Sequence, residues 1–104
     1  MKKTRVAKVD EIRLGRTKVC EVDGKMILVV HTGTDQWFAV AELCPHRGGP
    51  LSEGELSGTT ITCPWHRAQF DVTSGNALSG PTTEKLEEFG VEVINGEVFV
   101  SLQS

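Results

Sequence analysis

The chain has 104 residues, the size of one domain, and its 38% apolar residues, 24% charged residues and net charge of −3 are typical of a soluble globular protein. We expect a cytoplasmic protein without a membrane segment or secretory leader, because no apolar run exceeds five residues, whereas a membrane-spanning helix needs roughly 20. Residues 1–25 carry eight Lys/Arg against four Asp/Glu but no aromatic residue, and the remainder is acidic, so nucleic-acid binding is not expected.

Apolar patterns of short period predict an antiparallel β protein. In chain order the predicted strands are Arg5–Val9, Lys18–Val22, Met26–Val30, Gln36–Ala41, Val91–Ile94 and Glu97–Val100. The dipeptides Asp23-Gly24 and Asn95-Gly96 predict tight hairpin turns, the second of type I′. The β-branched run from Met26 is typical of a strand covered on both faces. A single helical turn is expected over Thr83–Glu88.

The segment 43–81 differs from the rest of the chain. It is rich in glycine and contains all four prolines of the chain. This composition predicts loop-rich structure between two β-rich parts. Long irregular insertions in compact domains usually carry function. We therefore expect one domain over residues 1–104: an antiparallel sandwich or barrel from residues 1–42 and 82–104, with 43–81 inserted as a small subdomain.

Two cysteine–histidine pairs lie in this insertion. Cys44 and His46 are separated by one residue, Cys63 and His66 by two, and sixteen residues separate the pairs. Four such ligands suit Zn²⁺, but common zinc fingers draw two cysteines from one loop and two histidines from a helix. One cysteine and one histidine from each loop suit two non-equivalent irons, as in a [2Fe–2S] cluster with two histidine ligands. A zinc-binding structural or regulatory module remains the alternative.

These motifs resemble those of the Rieske ferredoxin family. The segment Cys44 to Leu51 is similar to the first cluster loop, and Cys63 to His66 with Gln69 to Gly75 is similar to the second loop and its exit turn. The resemblance covers nearly the whole chain. It implies a Rieske-like all-β fold in which 43–81 is the cluster-binding subdomain, with a [2Fe–2S] cluster whose buried iron is held by Cys44 and Cys63.

The resemblance further implies that His46 and His66 hold the outer iron and form the exit route for the electron. The chain would be a monomeric one-electron carrier without a catalytic site. It would accept electrons from a flavin-dependent ferredoxin reductase and pass them to a terminal oxygenase through transient contacts. The small subunit of assimilatory nitrite reductase is an alternative, but its members commonly lack the four ligands.

Three residues beside the predicted ligands are candidates for partner docking: Arg47, Trp65 and Arg67. Trp65 lies between two predicted ligands, and shielding of the cluster is the alternative role for it. Each arginine follows a ligand histidine, and could either be solvated or contact carboxylates of a redox partner. Arg67 departs from the family pattern, which usually has glycine there. If the position requires a positive φ, arginine costs about 1 kcal/mol.

Three further residues are assigned structural roles. Cys20 lies in a predicted strand and is expected to be a small buried apolar residue. His31 ends an apolar strand and is expected at the surface or hydrogen-bonded, without a metal role. Trp37 is expected in the core.

The sequence also predicts a low redox potential. Family members of high potential have two bridging cysteines where this chain has Gly49 and Trp65, and a serine and tyrosine where it has Ala68 and Phe70. The missing hydroxyls would have donated hydrogen bonds that favour the reduced cluster. We expect a midpoint near the low end of the range of roughly −150 to +300 mV known for such clusters. A redox titration checks this, and a midpoint well above about 0 mV would contradict it.

Overall fold

In the computed structural model, which describes residues 3–33, 36–43, 49–64, 67–79 and 85–102, ten strands form two antiparallel sheets. The strands of the larger, nearly closed sheet are β1 (Lys3–Lys8), β2 (Thr17–Val22), β3 (Lys25–Gly33), β4 (Gln36–Ala41), β9 (Glu88–Ile94) and β10 (Glu97–Ser101). Those of the smaller sheet are β5 (Glu55–Ser57), β6 (Thr60–Thr62), β7 (Gln69–Asp71) and β8 (Ala77–Ser79). The orders are β1-β10-β9-β4-β3-β2 and β5-β6-β7-β8. The predicted antiparallel all-β fold is confirmed.

The two hairpin turns have the backbone conformation that their central dipeptides favour. Asp23 and Gly24, which connect β2 and β3, have φ of 51° and 83°, and Asn95 and Gly96, between β9 and β10, have φ of 51° and 78°. Two successive positive φ values define a type I′ turn, whose twist matches that of the flanking strands. The predicted hairpins are therefore confirmed, and their backbone conformation explains the choice of residues.

Strand β3 contributes to both cores. Leu28 and Val30 belong to the core between the two sheets, whereas Ile27 and Val29 belong to a second core with β1, β9 and β10. All four side chains are fully buried, which confirms a strand covered on both faces. Met26 is the exception, at 45% exposed, because it lies beside the Asp23-Gly24 turn, where little chain covers the strand.

The smaller sheet lies within the segment that the sequence predicted as loop-rich. Its strands are only three residues long, so they are too short for an alternating pattern to stand out. Ile61 of β6 and Phe70 of β7 pack with Leu28 and Val40 in one buried cluster. This contact fixes the smaller sheet against the larger one.

The helical turn expected over Thr83–Glu88 is wrong for the described part of that segment. Residues 83 and 84 lie outside the described residues, residues 85–87 are not helical, and Glu88 begins β9. The backbone groups here bond to other segments: Leu86 N–H donates to Gly75 O (2.8 Å) and Ala41 N–H to Glu87 O (2.9 Å).

In the part of the chain that the structure describes, no helix has the length and apolar character needed to cross a bilayer.

Candidate metal centre

Cys63 is placed by a closed hairpin loop. Residues 63–68 connect β6 to β7. The two strands are antiparallel, and Thr62 pairs with Gln69 at the end next to this loop. The Cys63 N–H donates to Ala68 O at 2.7 Å, and the Arg67 N–H donates to Cys63 O at 2.9 Å. These two bonds hold Cys63 at the start of the loop, next to the end of strand β6.

The thiol of Cys63 is enclosed by apolar side chains. Cys63 is unpaired by disulfide and fully buried, in the same cluster as Ala68 and Phe70. Neither neighbour has a side-chain hydrogen-bond donor, as the sequence predicted. A free thiol withdrawn from water at the base of a loop fits a ligand of the inner iron of a histidine-ligated cluster.

Arg67 adopts the left-handed conformation that its family position suggested. Its φ is 58°, which brings the chain back into β7 after the loop. Its exposed side chain borders a cleft of about 280 Å³ that Cys63, Glu53 and Glu55 also line. The cleft therefore presents both charge signs next to the predicted ligand.

Five predicted site residues lie outside the described residues: Cys44, His46, Arg47, Trp65 and His66. The chain on either side of the first loop is described, and Leu43 and Pro50 form an antiparallel bridge there. The structure thus closes the base of the first loop, as it does that of the second. The four-residue ligand set stays a prediction.

The residues assigned structural roles lie away from Cys63, in or beside the second core. Cys20 and Trp37 are half-buried and pack against that core, and burial raises the pKa of the Cys20 thiol. His31 stacks on Trp37 with ring centroids 3.9 Å apart, and its Nδ1 is 2.9 Å from Ile12 O. Because a carbonyl only accepts hydrogen bonds, Nδ1 carries the proton. His31 is thus a hydrogen-bonded histidine, as expected.

One residue near the site escaped the sequence analysis. Glu42, which precedes the first loop, is 5% exposed and bonded to Ser52. The available signal was a carboxylate at the end of the apolar run Trp37–Ala41 and next to Leu43.

Residues 2–90 match the family model of the Rieske [2Fe-2S] domain, so the chain belongs to this family and its cofactor is a [2Fe–2S] cluster. Ferredoxin CarAc of Metapseudomonas resinovorans is 42% identical over 78 residues, which are 75% of this chain and 73% of that protein.

Solved structures give the same result for the fold. The ferredoxin of carbazole 1,9a-dioxygenase from Nocardioides aromaticivorans IC177 superposes with a TM-score of 0.93 at 30% identity, covering 99% of this chain and 100% of that one. A chain from a complex of reduced oxygenase and oxidised ferredoxin in carbazole 1,9a-dioxygenase has a TM-score of 0.90 at 35% identity, covering 95% and 92%.

The φ of Arg67 predicts a stability difference between two truncations. Arg67→Gly and Arg67→Ala both remove the guanidinium, but only glycine lacks the Cβ that disfavours positive φ. We expect Arg67→Gly to be more stable than Arg67→Ala by about 1 kcal/mol in urea denaturation followed by circular dichroism. At Glu53, whose φ is not positive, we expect the opposite order of stability, with Glu53→Ala more stable than Glu53→Gly. An alanine variant as stable as the glycine variant at position 67 would contradict the conformational strain.

Proposed function

We propose that this protein is a one-electron carrier, which accepts electrons from a flavin-dependent reductase and delivers them to the terminal component of a ring-hydroxylating or similar oxygenase system. The observation that carries the proposal is the free, fully buried Cys63 at the base of a cluster loop in a chain of the Rieske family. The similar solved ferredoxin of a carbazole 1,9a-dioxygenase supports the same role.

The proposed ligands follow the two sequence motifs. Cys44 and Cys63 would bind the buried iron, and His46 and His66 the outer iron. The cluster supplies a reversible one-electron couple, and neutral imidazoles in place of two thiolates make reduction electrostatically easier than in an all-cysteine cluster. This chain's own residues hold the cluster, exclude water from the cysteine side and leave the histidine side toward a partner.

The chain would shuttle as a cytoplasmic monomer without a catalytic site of its own. A small transient interface suits a carrier that must leave one partner before it meets the next. The solved complex of an oxygenase with its ferredoxin, in which a chain similar to this one is present, supports an oxygenase as one partner.

Metal analysis with one pair of variants tests the cluster and its ligands. The purified protein should be red-brown, contain two irons per chain, as a [2Fe–2S] cluster requires, and give a reduced-state EPR signal of low average g. His66→Cys should lower the midpoint potential, since a thiolate adds negative charge to the cluster. His31→Cys is the matched control and should leave the potential unchanged. A colourless protein with zinc and no iron would refute the proposal, and an unchanged potential in His66→Cys would remove His66 from the ligand set.

We further propose that Arg67, with Arg47 and Trp65, contacts the redox partner. Arg67→Gln should slow oxidation of the reduced protein by the oxygenase component of a carbazole 1,9a-dioxygenase system, measured by stopped-flow absorbance. The difference should shrink as salt rises, because screening removes the steering contribution of exposed charges. Arg5→Gln, which removes an equal charge from an ion pair with Glu97 on the larger sheet, is the control. Equal rates for both variants would exclude Arg67 from docking.

A further inference from the structure

A buried carboxylate lies at the base of the first cluster loop. Among the described residues, Glu42 is the one buried charged side chain, at 5% exposed. Both of its oxygens accept hydrogen bonds from Ser52: the Ser52 N–H is 2.9 Å from Oε1, and the Ser52 Oγ is 2.6 Å from Oε2. Burying a carboxylate is costly unless such bonds compensate it. The pairing therefore holds residues 42 and 52 together at a distance that both bonds define.

Backbone bonds join the same two segments. The Leu51 N–H donates to Glu42 O at 2.8 Å, and Leu43 and Pro50 form a bridge beside it. On its other side the Glu42 N–H donates to Met26 O at 3.1 Å, which ties it to strand β3. Glu42 thus connects the larger sheet to the 3₁₀ turn Leu51–Glu53, across the base of the loop that contains Cys44.

That turn also contacts strand β6, which leads into the second cluster loop. Gly54, which ends it, lies so close to β6 that a Cβ at this position would overlap Thr62 O. The φ of Gly54 is −86°, so close approach rather than backbone conformation requires glycine here. Thr62 is the residue immediately before Cys63. The turn is therefore a spacer between the chain that precedes Cys44 and the chain that precedes Cys63.

We propose that Glu42 is a positioning residue for the cluster: by fixing the Ser52 turn against strand β6, its carboxylate sets the relative placement of the two cysteine-bearing loops. This inference rests on the ligands given under the proposed function. Two hydrogen bonds to one carboxylate restrict the turn in direction as well as distance, whereas an apolar pair at the same place would restrict only distance. The role is thus one of geometry, which a side chain of the same shape and bonding capacity can perform.

Three variants separate this role from a general loss of stability. Glu42→Ala removes both hydrogen bonds. Glu42→Gln can keep both, because its amide oxygen accepts from the Ser52 N–H and its amide NH₂ donates to the Ser52 Oγ. Glu53→Ala is the matched control, since Glu53 is an exposed carboxylate in the same turn. The readouts are the rate of iron release to a ferrous chelator from the reduced protein, and the EPR spectrum.

We expect Glu42→Ala to release iron several-fold faster than the unmodified protein and to give a shifted or broadened EPR signal. Glu42→Gln should have a release rate and an EPR spectrum close to those of the unmodified protein. Glu53→Ala should have the same release rate and EPR spectrum as the unmodified protein. If Glu42→Ala does not accumulate as folded protein, Ser52→Ala, which keeps the backbone N–H bond, should show an intermediate release rate.

Other outcomes overturn the inference. Unchanged iron release and EPR in Glu42→Ala would show that the carboxylate does not position the cluster. Equal loss in Glu42→Ala and Glu42→Gln would assign the effect to charge rather than geometry. Failure of the proposed function is distinguishable from both, because the unmodified protein itself would then contain no iron.

Discussion

The position of the metal centre depends on the burial of one face of the smaller sheet against strands β3 and β4. Strands of three residues have few ladder bonds and do not form a stable sheet by themselves. Ile61 and Phe70 are fully buried together with Leu28 and Val40, so the smaller sheet gains its stability from the larger one. Cys63 belongs to this cluster. The same packing therefore stabilises the sheet and withdraws the thiol from water.

Two locally unfavourable features lie near the bases of the cluster loops. Arg67 has a positive φ without the freedom of glycine, and Glu42 is a carboxylate removed from solvent. The positive φ of Arg67 costs free energy, and burial of Glu42 would do so without its bonds to Ser52. Such features often occur where function requires a particular geometry. Both flank a predicted cysteine ligand along the chain. The buried carboxylate of Glu42 thus lies at the base of the first cluster loop, and the positive φ of Arg67 lies near the end of the second.

The surroundings of Cys63 also bear on the energetics of electron transfer. Ala68 and Phe70 shield the thiol but donate no hydrogen bond to it. An apolar wall disfavours added negative charge more than a wall of hydroxyl donors would. Cys63 is thus packed against the core, and a charged cleft beside Arg67 lies next to it.

The sequence by itself determined the features that depend on neighbouring residues. The dipeptides Asp23-Gly24 and Asn95-Gly96 specify their hairpins through their own φ preferences. The cysteine and histidine motifs predicted a histidine-ligated [2Fe–2S] cluster, and the family match supports that cofactor. Only the tertiary structure decided that 55–79 contains a sheet, that Glu42 bonds Ser52, and that Gly54 lies against Thr62. These contacts join residues far apart along the chain, so their partners leave no local pattern. They arise only when burial of the shared core brings the segments together.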